Sequence, residues 1–120
     1  MTKILVVEDE TIISLDIEQR LKSLGYEDSQ AVPSGREALD LIPEILPDLI
    51  LMDIVLGEGM DGVETAGIIN ERFNIPVVFL TAHSDESTLE RVKMTNPFGY
   101  ILKPFKAREL YSTIEIALYR

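Results

Sequence analysis

Leu49-Ile50-Leu51-Met52-Asp53 is an unbroken apolar run that ends on a carboxylate. Pro47-Asp48 stands before it and Gly57 and Gly59 follow, so the run reads as a strand buried on both faces, as in a parallel sheet. Aspartate is rare inside such strands, which puts Asp53 at, or just past, the C-terminal end. In open α/β sheets that end is where ligands bind. Asp53 is therefore expected to be a reactive group, with neighbouring strand ends bringing its helpers to it.

Working outward, the chain alternates strand and helix. Lys3–Val7 is a β-branched apolar run that ends in Glu8-Asp9-Glu10. A helix is predicted over residues 11–24, with Ile13, Ile17, Leu21 and Leu24 at helical spacing and Gly25 as its stop. Ser29–Val32 reads as a weak, polar second strand. Ser34 is a candidate N-cap for a second helix carrying Ala38, Leu39 and Ile42, its end disturbed by Pro43. After the central strand and a Gly-rich loop comes a third helix over about Val63–Phe73, with Ala66 and Ile69 inward. Pro76–Thr81 is another strongly apolar strand. A fourth helix is expected from Ser84, with Leu89 and Val92 on one side, ended by Asn96-Pro97. Tyr100–Lys103 is a short fifth strand, and a last helix covers Ala107–Tyr119 with Leu110, Ile114, Ala117 and Leu118 along one side.

Strict alternation implies parallel strands joined by crossover helices. The first, third and fourth strands are the most apolar and belong in the centre, while the polar second and short fifth suit the edges. The fold class is thus α/β: a single doubly wound (βα)5 flavodoxin-like domain over 1–120, with a five-stranded parallel sheet in the order 2-1-3-4-5. Glu8-Asp9 and Asp53 then flank the switch point between strands one and three.

Bulk properties narrow the chemistry. With 120 residues the chain has room for one domain with a core of its own. It contains no cysteine, which removes disulfides, thiolate zinc sites and cysteine nucleophiles. A net charge of −10 argues against a direct nucleic-acid surface. No apolar run approaches the ~20 residues that span a bilayer, and no signal-peptide pattern opens the chain, so a cytoplasmic protein without membrane contact is expected.

The expected sheet edge collects a particular set of groups. Adjacent strands lie about 4.8 Å apart, close enough for Asp9 and Asp53 to bring carboxylates together with Glu8 nearby. Such a cluster repels itself unless a hard cation such as Mg²⁺ compensates it. The plainer alternative is that Glu8-Asp9-Glu10 only caps the first helix. Thr81 and Lys103 end the fourth and fifth strands and add a hydroxyl and an ammonium. Together the set suits a phosphoryl group attacked in line by a carboxylate oxygen.

With these residues assembled, the sequence resembles the receiver domain of two-component response regulators over essentially its whole length. The marks are Glu8-Asp9, Asp53 after an apolar strand, Thr81-Ala82, and Lys103-Pro104-Phe105. The resemblance implies that Asp53 accepts a phosphoryl group from a histidine kinase or phosphotransfer domain. It implies a Mg²⁺ site made by Asp9, Asp53 and the Val55 carbonyl, with Glu8 acting through a water. It further implies that Lys103 pairs with the phosphate, that Thr81 hydrogen-bonds it, that Tyr100 turns inward on activation, and that Lys103–Pro104 is cis. Partner contacts, an effector domain or a homodimer would use the face made by the fourth helix, fifth strand and last helix. The resemblance fits either a single-domain regulator or the receiver of a larger regulator or hybrid kinase.

One departure stands out: the stretch from Asp53 to Asp61-Gly62 is one residue longer than the common receiver pattern, with Gly57 where proline is usual. The alternative function is a Mg²⁺-dependent phosphohydrolase with an Asp nucleophile. Haloacid-dehalogenase-like enzymes of that kind place a second Asp two residues on, where this chain has Val55. A flavin module needs a phosphate loop after the first strand, and Glu8-Asp9-Glu10 has the wrong charge. Gly57-Glu58-Gly59 reads as a turn, since Glu58 repels phosphate and no P-loop lysine follows. His83, the only histidine, is expected to be exposed at the start of a loop.

Overall fold

The alternation of apolar runs and amphipathic stretches produces five strands: β1 (Lys3–Val7), β2 (Asp28–Val32), β3 (Leu49–Asp53), β4 (Val77–Thr81) and β5 (Gly99–Leu102). The computed structural model describes residues 1–57, 59–81, 90–93, 97 and 99–119. The helices are α1 (Thr11–Ser23), α2 (Gly35–Ile45), α3 (Gly62–Arg72), α4 (residues 90–93) and α5 (Ala107–Tyr119). All strands pair in parallel, in the order β2-β1-β3-β4-β5. The three apolar strands are central and almost wholly buried, and the polar β2 lies at an edge, as expected.

Two-residue periodicity sorts the strand side chains into two cores. Leu5, Val7, Ile50, Met52 and Phe79 face Ala38 and Ile42 of α2 and Val63, Ala66 and Ile69 of α3. Ile4, Val6, Leu49, Leu51, Val78 and Leu80 face Ile17 and Leu21 of α1 and Leu110, Ile114 and Ala117 of α5. Val92 of α4 joins the first core. Burying both faces of one sheet under helices leaves polar side chains of several strands to converge at its ends, and in open α/β sheets the C-terminal end is where ligands bind.

Local signals set most boundaries. Gly25 adopts φ 99° beyond the end of α1, and Ser34 accepts from Glu37 N–H at 3.1 Å to cap α2. Pro43, expected to disturb the end of α2, lies inside the helix. It lacks only the N–H that would reach Leu39, close enough to the C-terminus that the helix continues to Ile45. The chain turns instead at Leu46, in the left-handed region with φ 48°, whose N–H bonds to the Ile42 carbonyl at 2.8 Å. The third helix starts one residue before its predicted first residue, at Gly62, because Asp61 and Glu64 form a reciprocal capping box. β2 likewise starts one residue before its predicted strand and β4 one residue after, while β5 is shifted one residue towards the N-terminus, so Lys103 falls just past it. The Lys103–Pro104 bond is cis, as the resemblance implies. Ser84, Leu89 and Asn96 of the predicted fourth helix, together with Ala82 and His83, lie outside the described residues.

Candidate functional site

Backbone ladders carry each site residue to the sheet's C-terminal edge. The register sets Val7 beside Met52, Asp53 beside Leu80 and Thr81 beside Leu102. Pairing continues one step beyond the strands: Glu8 N–H donates to Val32 O at 3.0 Å, Ile54 N–H to Leu80 O at 3.2 Å and Lys103 N–H to Thr81 O at 2.7 Å. Glu8, Asp53, Thr81 and Lys103 are therefore placed by the sheet itself rather than by mobile loop tips.

Asp53 is the last residue of β3 and only 7% exposed. Its Oδ1 accepts from Val55 N–H at 3.3 Å, and its Oδ2 lies 3.6 Å from Lys103 Nζ. Lys103 Nζ is closer to Glu8, at 2.9 Å from Oε1, and the Glu8 side chain is fully buried. Glu8 Oε2 in turn accepts from Glu10 N–H at 3.3 Å. The Glu8 and Asp53 carboxyls also meet, within reach of a shared proton. Two carboxylates thus compete for one ammonium.

The electrostatics follow. Burial, then the hydrogen bond and charge of Glu8, push the Asp53 carboxyl up to about 7, against the weaker pull of Lys103 and the Val55 N–H. Burial also works to raise Glu8, but hydrogen bonds from Asp53, Lys103 and Glu10 outweigh it and hold that carboxyl below its ordinary value. Burial works to lower Lys103, yet its hydrogen bond to Glu8 and the Asp53 charge leave it raised.

A pH dependence arises here. Because Asp53 holds its proton more tightly folded than unfolded, the folded state carries the extra proton between the ordinary carboxylate value of 3.8 and about 7. Stability from this group is full at the acid end of that window and falls as pH rises through it. The depressed Glu8 acts oppositely, but only below its ordinary value of 4.5. Metal-free protein is therefore expected to lose thermal stability between about pH 5 and pH 7.5, as read by melting curves in chelator. A Tm that climbs across that window would contradict the shared-proton arrangement.

A further acidic side chain lies beside the expected carboxylates. Glu8, Asp9 and Glu10 offer oxygens within 4.8 Å of one another, and Asp53 reaches the cluster through Glu8. The plainer alternative, in which Glu8-Asp9-Glu10 only caps the first helix, finds no support in Glu10, which stands at the N-cap of α1 without a side-chain capping hydrogen bond. This all-oxygen set could hold a hard cation. The longer loop after β3 closes on the same spot, since a Cβ built at Gly57 would lie 3.1 Å from Asp9 Oδ2. Val55 is 71% exposed beside the site. Thr81 is buried at its strand end, and Tyr100 stands on the edge strand with 48% exposure. Sequence reasoning missed Gly62. Its N–H donates to Ile54 O at 2.9 Å, and a Cβ built on it would overlap the Asp53 carbonyl oxygen. The Asp-x-x-Glu capping pattern at Asp61–Glu64 was the available signal.

A family model for the response regulator receiver domain matches residues 4–115. The transcriptional regulatory protein PdtaR of Mycobacterium tuberculosis is 34% identical over 118 residues, which is 98% of this chain and 57% of PdtaR. The chain thus spans just over half the length of that relative. The receiver domain of a modulated diguanylate cyclase from Desulfovibrio desulfuricans superposes with a TM-score of 0.91 at 38% identity, covering 99% of this chain and 94% of that one. The N-terminal domain of a response regulator/sensory box/GGDEF protein from Carboxydothermus hydrogenoformans gives 0.90 at 39% identity, covering 98% and 94%. Among the described residues no helix is long and apolar enough to cross a membrane.

Proposed function

This chain belongs to the response regulator receiver domain family, and from that premise we propose that it is a cytoplasmic phosphoacceptor module in which Asp53 takes a phosphoryl group from a histidine kinase or phosphotransfer domain. The observation that carries the reading is the position of Asp53: a buried strand-end carboxylate pressed against Glu8, with Lys103 Nζ 3.6 Å away. A carboxylate oxygen of Asp53 attacks phosphorus in line, the bond from phosphorus to the donor's nitrogen or oxygen breaks, and the electron pair leaves with the donor. Lys103, already held between two carboxylates, sets its positive charge beside the incoming phosphoryl oxygens. The Thr81 hydroxyl, at the neighbouring strand end, reads the phosphate once it is in place.

The donor set fits Mg²⁺, since the described carboxylates outnumber the one ammonium that faces them. Asp9 and Asp53 would ligate it with the Val55 carbonyl, and Glu8 would act through a water. When bound, the ion supplies the counter-charge that draws phosphoryl oxygens to the site and replaces the shared proton. Asp9→Asn is expected to weaken Mg²⁺ binding about tenfold or more, measured by calorimetry on the metal-free chain. Equal affinities in variant and wild type would remove Asp9 from the site.

Signalling then depends on two states. Phosphorylation draws Thr81 inward, space opens beside β5, and the exposed Tyr100 fills it, remodelling the face of α4, β5 and α5. That face is where an effector domain or a second copy would dock. The phosphohydrolase alternative is separated by turnover: the protein should accept one phosphoryl group from acetyl phosphate yet hydrolyse no generic phosphate ester. Multiple turnover of such esters, abolished with Asp53, would reverse the assignment.

A further inference from the structure

Asp61 holds three partners at once. Its Oδ1 accepts from Glu64 N–H at 2.9 Å and caps α3. Its carbonyl accepts the N–H and the hydroxyl of Thr65, at 3.1 and 2.8 Å. Its Oδ2 takes Arg91 Nη2 at 2.6 Å, from α4. Capping uses one carboxylate oxygen, so the contact to Arg91 is additional to what the helix start requires. The next residue, Gly62, leans on the Asp53–Ile54 peptide. A continuous run of contacts thus joins α4, through Arg91 and Asp61, to the peptide that carries Asp53.

We propose that the Arg91–Asp61 ion pair is a latch that ties α4 to the acceptor loop and holds the unphosphorylated arrangement. The proposal rests on the phosphoacceptor reading above. A contact biases a two-state equilibrium only if the states differ in how well they make it. Here the pair is formed with Asp53 unmodified and Tyr100 outward. Asp61 is fixed to α3 by the capping box and by Thr65, so it cannot follow α4. Arg91 rides on α4 and must move with it. Rearranging the face that contains α4 therefore stretches this pair, and the energy of the pair counts against the phosphorylated state. Both side chains are partly exposed, so the bias is modest and global stability barely depends on it.

Two substitutions isolate the latch. Asp61→Asn keeps a side-chain oxygen for Glu64 N–H, because asparagine caps helices as well as aspartate, but removes the charge. Arg91→Ala removes the other partner. The probe is beryllofluoride with Mg²⁺ bound to the 120-residue chain, followed by calorimetry, with melting curves alongside. Each single variant is expected to bind about two- to fivefold more tightly than wild type. The double variant should bind no more tightly than either single, because both changes remove the same contact. Wild-type affinity in both singles, whatever their Tm, overturns the latch, as does a double variant equal to the product of the two. A wild-type protein that binds no beryllofluoride overturns the phosphoacceptor reading, and the latch with it.

Discussion

Asp53→Asn is expected to abolish phosphorylation by acetyl phosphate in Mg²⁺ and, at the same time, to stabilise the metal-free fold at neutral pH. The two effects have one origin. The carboxylate proposed as nucleophile is buried beside Glu8, and burial, with the hydrogen bond and charge of Glu8 added, lifts its proton affinity to about 7. Ionised Asp53 is thus in conflict with its surroundings until phosphate chemistry or a cation relieves it. An asparagine amide keeps the size and a hydrogen-bonding oxygen for Val55 N–H but adds no charge beside Glu8. The expected gain is on the order of 1–2 kcal/mol, a rise of several degrees in Tm at pH 7.5 in chelator. The gain should shrink near pH 5, where wild-type Asp53 is already protonated. A variant that melts below wild type at both pH values would show that the ionised carboxylate carries no net penalty at this position.

Gly62→Ala is expected to be the most damaging single-methyl change near the site. A Cβ there would overlap the carbonyl oxygen of Asp53 and lie 2.9 Å from both Asp53 C and Ile54 Cα. These are backbone atoms of a central strand end, held by Ile54 N–H to Leu80 O and by Gly62 N–H to Ile54 O. No rotamer change can make room, so α3 must shift or the Asp53 peptide must. Overpacking of this kind costs about 3 kcal/mol or more where the obstacle is rigid, roughly ten degrees of Tm in a chain of this size. The reason is space and not conformation, since the glycines with positive φ are Gly25 and Gly59. Melting within a degree of wild type would show that α3 can stand off from β3.

The strand order could be read from hydropathy because burial on both faces leaves no other place for Leu49–Met52, Ile4–Val7 and Val77–Leu80. Glu8, Asp53, Thr81 and Lys103 were legible for a related reason: each is the first polar group where an apolar strand ends. The sequence did not show how those groups pair. Lys103 settles on Glu8 at 2.9 Å and lies farther from Asp53, a balance decided by fractions of an ångström in register. Nor did it show Glu10 joining the carboxylate cluster, because Glu10 also sits where helix caps are expected. Gly62 and Arg91 escaped notice because their roles exist only in three dimensions. One is defined by the backbone it touches, the other by a partner thirty residues earlier in the chain.

The most direct measurement is to locate the phosphoryl group. The wild-type chain, incubated with acetyl phosphate and Mg²⁺, would be reduced with borohydride, which converts an acyl phosphate to the corresponding alcohol, and then mapped by peptide mass spectrometry. The account predicts reduction at residue 53 alone, dependent on Mg²⁺. Labelling at another carboxylate, or at a serine, threonine or His83 with Asp53 untouched, would contradict it.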